Sequence, residues 1–331
     1  MNTYMKTKLF LFMAGVLSLA ACREHVVVEP QPIVSIYRDV AALAQGDSVA
    51  ADSLIHAQRP ALKAMMSYLG VDSLTPQALE AWSRSRPVEV FTPAVDSVFP
   101  TLEPLERTLA SVLQRAEADS LDLPRRTYAA VVWGRMKSIV LIDTPADSVM
   151  LIALNHYLGD TYPGYGHWPS YMRPDKTPER LPYDIAEALV ASRYPFRHES
   201  GNTILSRLVY EGALILAKLR LVPESNLADA LGYTDAQLKW LEENEAKIWE
   251  KLVERKLLYD TSEAAAERLV APAPATNDIS PAAPGRIGRF VGYRILCAYM
   301  RSDAKTTLAE MLLPSFYENP SVLIDAAYEG R

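Results

Sequence analysis

Apolar residues recur at helical spacing through most of the chain. Ile36, Val40 and Leu43 predict a helix over 33–46, and Leu54, Leu62, Met65, Met66 and Leu69 predict a second over 50–70. Thr75-Pro76 opens a short helix through Trp82, with proline in the first turn, where its missing N–H costs nothing. Val95, Val98, Leu102, Leu105, Leu109, Val112 and Leu113 predict a longer helix over 93–118, broken or kinked by Pro100 and Pro104. The texture then changes. Residues 128–133, 138–142 and 148–154 are short apolar runs, rich in β-branched residues and bounded by Gly134 and Pro145. They predict three strands of a small sheet, and their near-continuous apolarity predicts cover on both faces. The connector 157–171 is rich in Pro, Gly and Tyr and predicts an ordered loop packed over the sheet or a cleft.

Two helical stretches organise the second half, 184–194 and 208–218. Thr234 with Gln237 forms a capping-box start for a helix over 235–257. The Ala- and Pro-rich segment 271–284 predicts a long loop. The helix opening at Gly285 carries Gly288 and Gly292 on one face, which permits close backbone approach to a neighbour. Short helices around 304–313 and 320–328 finish the chain, with no repeats and no heptads. The fold class expected is α+β, mostly α-helical, with a small three-stranded sheet in a single domain over 33–331.

The N-terminus reads as a targeting segment. Lys6 and Lys8 precede an apolar core from Leu9 to Leu19, too short for an ordinary transmembrane helix, and Leu19-Ala-Ala-Cys22 closes it. Small residues before a cysteine match a lipoprotein cleavage box. The expectation is a signal peptide over 1–21, acylation (diacylglyceryl and palmitate) of Cys22, and a tether over 22–32. Each buried methylene adds membrane affinity, so a multiply acylated Cys22 holds the chain on a bilayer surface.

Removing residues 1–21 takes away two lysines and no acids, moving the net charge from −6 to −8. That balance argues against nucleic acid as a partner, because phosphate binding needs a basic face. With Cys22 committed to lipid, Cys297 is the other cysteine, so neither a disulfide framework nor a cysteine metal site is expected. Cys297 lies in an apolar run and reads as a small buried hydrophobe.

Candidate chemistry centres on Glu187 and Glu211, each embedded in apolar sequence on one of the two organising helices. A zinc peptidase of the gluzincin type uses this arrangement, with His-Glu-x-x-His on one helix and a Glu ligand on a later one. With Glu187 as the base, the histidine positions become Ala186 and Val190, which bind no metal. The residues therefore fit a zincin-like scaffold without its zinc, and no cofactor is expected. They equally fit two carboxylates at helix edges, solvated or paired with arginines. Arg286 and Arg289, at the start of the glycine-rich helix, supply such partners or an anion site. With Tyr293 they complete the candidate cleft. A metal set of Glu187, Glu211 and a loop histidine is the alternative, but His156, His167 and His198 are scattered. Nucleophile-elbow and phosphate-loop motifs are absent.

The lipobox, Tyr157-Leu-Gly-Asp-x-Tyr-Pro-x-Tyr165, Val209-Tyr-Glu-Gly212, Gly232-Tyr-Thr-x-x-Gln-Leu-x-Trp240, Asn244-Glu-x-x-Ile-Trp249 and Pro284-Gly-Arg-Ile-Gly-Arg289 together carry a family resemblance. The chain resembles the gliding motility lipoprotein GldB family of Bacteroidetes. That family is in turn distantly similar to predicted zinc peptidases with His-Glu-x-x-His followed by Glu-Gly. Here Glu211-Gly212 matches the second motif, while the first lacks both histidines. The resemblance implies a membrane-anchored cell-envelope lipoprotein associated with gliding motility or the type IX secretion machinery; with the histidines missing, the leading expectation is a pseudoenzyme that binds a protein or envelope-ligand partner in the old cleft. A metal-dependent hydrolase with an unusual ligand set is the competing reading, and a purely structural lipoprotein a third.

Overall fold

Proline and backbone pairing divide the N-terminal region more finely than apolar spacing does. The computed structural model describes residues 29–45, 48–198 and 201–331; the signal segment, Cys22 and the tether up to residue 28 lie outside these. Ile33–Val34 forms strand β1, followed by helices Ile36–Ala42 (α1), Ser48–Ala57 (α2), Arg59–Leu69 (α3), Pro76–Ser83 (α4), Arg86–Val98 (α5) and Glu103–Ala118 (α6). The helix expected over 50–70 is therefore two helices. Pro60 lacks the N–H that would continue the first of them, and it sits instead in the first turn of α3. The break expected near Pro100 falls between α5 and α6, with Pro104 in the first turn of α6.

The sheet has four strands rather than three. Thr127–Val131 (β2), Ile139–Asp143 (β3) and Ser148–Ala153 (β4) join β1 in the order β1-β2-β4-β3. β1 and β2 run parallel, as do β2 and β4, while β3 pairs antiparallel with β4. Residues 33 and 34 were expected to be helical. Two residues are too few to show a strand period, and β1 is fixed by pairing with β2 and by the Ile33 N–H donating to Glu106 Oε1 at 2.9 Å. Helices α1 and α3 cover β2, and α3 also covers β4. Cover on both faces suits the buried β2 and β4. The edge strand β3 is only half-buried along its length.

The 157–171 connector folds into short 3-10 turns that continue to residue 180. Helices Leu181–Arg193 (α7), Ile204–Leu221 (α8), Leu227–Leu231 (α9), Asp235–Glu254 (α10), Glu263–Val270 (α11) and Ile287–Ser302 (α12) follow. The chain ends in Leu308–Met311 (α13), Pro314–Tyr317 (α14) and Val322–Ala326 (α15), three short helices where two were expected. The Thr234–Gln237 capping box opens α10 as its sequence predicts. Thr203 and Ser206 form a second such box at α8.

Helix α8 is the hub. Fifteen of its 18 residues are buried, so it is covered on all sides, by α6, α7, α11, α12, α13 and α14 among others. Its closest neighbour is α12. A Cβ on Gly292 would overlap the carbonyl of Leu208, and a Cβ on Gly212 would overlap the backbone of Gly292. The two helices thus touch backbone to backbone, and neither position has room for a side chain. Gly288, one turn earlier, meets mainly the Leu208 Cδ2 methyl, which can rotate aside. Among the described residues no helix is long and apolar enough to cross a membrane.

Gly292→Ala is expected to destabilise the fold by more than about 3 kcal/mol, and Gly288→Ala by about 1–2 kcal/mol, because only the second clash is with a movable side chain. Urea unfolding followed by circular dichroism checks the order; equal losses would remove the backbone contact as the cause.

Candidate functional site

The α8–α12 contact decides which polar groups meet in the interior. Glu211 precedes Gly212 on α8, and Arg289 lies one turn before Gly292 on α12. The Arg289 guanidinium therefore donates to Glu187 Oε1 on α7 through Nη2 at 2.9 Å, and its Nε lies 2.9 Å from Glu211 Oε2, an ion-pair contact without the alignment of a hydrogen bond. Its Nη1 adds a bond to Glu187 Oε2 at 3.2 Å. The other oxygens are also engaged. Lys218 Nζ donates to Glu187 Oε2 at 2.7 Å, and Arg207 reaches Glu211 Oε1 at 2.8 Å.

Burial makes these pairs obligatory. Glu211 and Lys218 are 2% and 1% exposed, and an unpaired charge at that depth costs several kcal/mol. Burial works against ionising Glu187, yet Arg289 and Lys218 hold its carboxyl well below the usual carboxylate range. Burial also pulls the Lys218 ammonium below the ordinary lysine value, against the attraction of Glu187. The space between Glu187 and Glu211 is thus filled by a guanidinium. Among the described residues no group of three or more His, Cys, Asp or Glu side chains is placed to hold a metal ion. The two carboxylates have no imidazole or thiolate beside them, the ligands on which protein zinc sites are chiefly built, and their oxygens face Arg289, Lys218 and Arg207.

A cavity of about 240 Å³ opens beside this cluster, lined by Asp175, Lys176, Arg180, Asp184, Glu187, Arg286 and Arg289 among others. Arg286 does not pair with Glu187 or Glu211. It adopts a left-handed backbone at the N-cap of α12 (φ 65°) and forms a two-pronged pair with Asp175. Burial raises Asp175 and Arg286 lowers it; the guanidinium wins, and the carboxyl titrates below its ordinary value. Asp184 is different. Burial raises its carboxyl despite Arg180 and Lys218, and Tyr157 donates to its Oδ2 at 2.9 Å. Glu211 lies behind Arg289, and Tyr293 is not in this cavity's wall; its phenol sits beside Cys297.

Of the residues proposed from sequence, Glu187, Arg286 and Arg289 meet at the cavity. Asp175, Lys176, Arg180, Arg207 and Lys218 were missed. Two of these leave a sequence trace. Lys218 lies seven residues after Glu211 in an apolar run, on the same helical face, and Arg207 lies four before it. The others come from the 3-10 connector, where no period marks an inward side chain. The histidines are apart. His198 pairs with Glu263 at 3.2 Å, and His167 packs near the Trp168 ring. His156 is buried, with Nε2 2.9 Å from the Arg135 carbonyl and Nδ1 3.3 Å from Lys176 Nζ. A carbonyl only accepts, so Nε2 carries the proton and Nδ1 accepts from Lys176. Burial and the Lys176 charge lower His156 to about 4, against the bond to Arg135.

Because His156 titrates lower folded than unfolded, it stabilises the fold above its ordinary value of 6.5, and that stability is lost as pH falls toward about 4. Between pH 6.5 and 5 the loss is expected to be about 2 kcal/mol, at 1.36 kcal/mol per pH unit. His156→Gln should flatten this slope in unfolding titrations. Arg289→Met should cost about 3–5 kcal/mol by leaving two buried carboxylates short of a partner. Adding Glu211→Gln to it should recover part of that loss, a non-additivity read by a double-mutant cycle.

Of the comparisons with known proteins, the family comparison gives a match. Residues 33–329 match the family described as gliding motility protein GldB. No curated protein and no solved structure matches the chain. The matched span includes every residue of the charged cluster and the three helices that carry it. The chain belongs to the gliding motility protein GldB family.

Proposed function

We propose that the protein is a non-catalytic component of the cell envelope, tethered through an acylated Cys22 and acting by binding a protein or envelope ligand. The observation that carries the non-catalytic reading is Arg289. Its guanidinium occupies the space between Glu187 and Glu211 that a metal would need, hydrogen-bonded to Glu187 and in ion-pair contact with Glu211. A divalent cation entering there would have to displace Arg289 and overcome the repulsion of Lys218, 2.7 Å from Glu187. Two fixed cations supply the compensating charge that a metal supplies elsewhere. The lipoprotein reading rests on the Leu19-Ala-Ala-Cys22 box together with the family membership. The association with gliding motility rests on the family membership, and a part in type IX secretion is proposed as an extension of it.

The zincin-like ancestry is part of this proposal, supported by two carboxylates on adjacent helices and by Glu211-Gly212. The metal-dependent hydrolase has no comparable observation behind it.

Purified full chain incubated with excess zinc and then desalted is expected to retain no stoichiometric metal. One zinc per chain, lost in Glu211→Gln, would overturn the non-catalytic reading. Cys22→Ser is expected to move the chain from the membrane fraction to the soluble fraction; unchanged membrane association would overturn the lipid tether.

A further inference from the structure

The small cavity beside Arg289 has more positive than negative charge in its wall, and two of its cations are poorly compensated. Arg180 is 8% exposed. Its Nη1 donates to the Asp229 carbonyl, but its Nε has no hydrogen-bond partner and lies 3.9 Å from Asp175 Oδ1. Asp175 is already bound on both oxygens by Arg286. One carboxylate therefore serves two guanidiniums. Lys176 Nζ bonds only to the neutral His156 and sits 4.0 Å above the Trp168 ring. Among the described residues no carboxylate lies within 4.0 Å of it. Glu187, the remaining acid of strong ionisation in this wall, is taken by Arg289 and Lys218.

Gly232 keeps the place open. With φ at +82°, it lies where a Cβ would collide with Arg286 Nη1 and come within 3.2 Å of Arg180 Nη2. The two guanidiniums are thereby held side by side against bare backbone.

A larger cavity of about 630 Å³ continues outward and shares Asp175, Arg180, Pro272 and Arg286 with the small one. Its charge is reversed. Asp160, Glu179, Asp229 and Asp235 line it, and among the described residues none of the four is in an ion pair. A ligand that fits both must place a compact anion at the depth and a cation at the mouth. The acidic mouth repels a phosphate dianion, whereas a planar carboxylate matches a pair of guanidiniums in two-pronged geometry. The combined space is that of a site for several residues entered end-on.

We propose that this cleft binds the free C-terminal carboxylate of a polypeptide that carries a basic side chain near its end. The carboxylate lies on Arg180, Arg286 and Lys176, and the basic chain lies against the acidic mouth. Capture of a chain end by fixed donors is an established mode of peptide recognition. The inference rests on the ligand-binding reading above and names its ligand class.

The test is calorimetry on the full chain with four probes. These are an N-acetylated Ala-Ala-Ala-Lys peptide, its C-terminal amide, the all-alanine free acid, and inorganic phosphate. The free acid is expected to bind at least 10-fold tighter than its amide, and the all-alanine acid about 5-fold weaker than the lysine peptide. Phosphate is expected not to compete. Lys176→Met should weaken the peptide about 5-fold. Asp175→Asn removes the internal carboxylate that competes for the same guanidiniums, so it should tighten binding about 10-fold, a gain that damage to the fold does not produce. Equal binding of acid and amide, absence of binding, or displacement by phosphate overturns the proposal. Mass spectrometry of the recovered peptide separates the two readings. A bound peptide that is cleaved keeps the site and sinks the non-catalytic role. An intact peptide that never bound sinks the site alone.

Discussion

The backbone contact between Gly212 on α8 and Gly292 on α12 sets where the Arg289 guanidinium meets the two carboxylates of the charged cluster. At that distance Arg289, one turn from Gly292, has reach enough to touch Glu211 and Glu187 together. A side chain at either glycine would push the helices apart and lengthen three ion-pair contacts at once. Packing and electrostatics are thus one constraint here. The apolar burial of α8 supplies the driving force, and the glycines determine whether Arg289 comes within ion-pair distance of the buried Glu211.

The pairing also explains how a mostly apolar helix carries a carboxylate and an ammonium at 2% and 1% exposure. Glu211 and Lys218 do not neutralise each other. Glu211 is hydrogen-bonded by Arg207 of its own helix and lies in ion-pair contact with Arg289 of α12, and Lys218 bonds to Glu187 of α7, so the network ties three helices. Such a network is weak evidence for stability, since its desolvation cost is high. It does fix relative helix positions, because any slip leaves a charge without a partner. The outer cluster of Asp175, Arg180, Arg286 and Lys176 is arranged differently, with cations in excess of the carboxylates within reach. The first cluster is closed, and the second keeps cationic groups in the wall of a cavity. That contrast is what motivates the proposed ligand site.

The sequence by itself determined the class of the fold and most of its helices, because apolar spacing reports which face is buried wherever an element is long enough to show a period. The buried β2 and β4 were legible as apolar runs, and the α10 cap as a Thr with a Gln three residues on. Gly288 and Gly292 announced a close helix approach, and an arginine partner for the carboxylates was among the readings that the residues left open. Beyond that the sequence is silent for definite reasons. Two-residue β1 has no period, and α9 and α11 are short enough that caps, not patterns, define them. Which arginine met which carboxylate was a matter of tertiary distance. Arg286 and Arg289 are three residues apart and look alike in sequence. The left-handed backbone of Arg286 sends it to Asp175, whereas Arg289 on the helix turns inward to Glu187 and Glu211. The cleft itself is a property of the fold alone, since its walls come from the 3-10 connector, the start of α10 and the loop before α12, segments distant in sequence whose inward side chains no local rule marks.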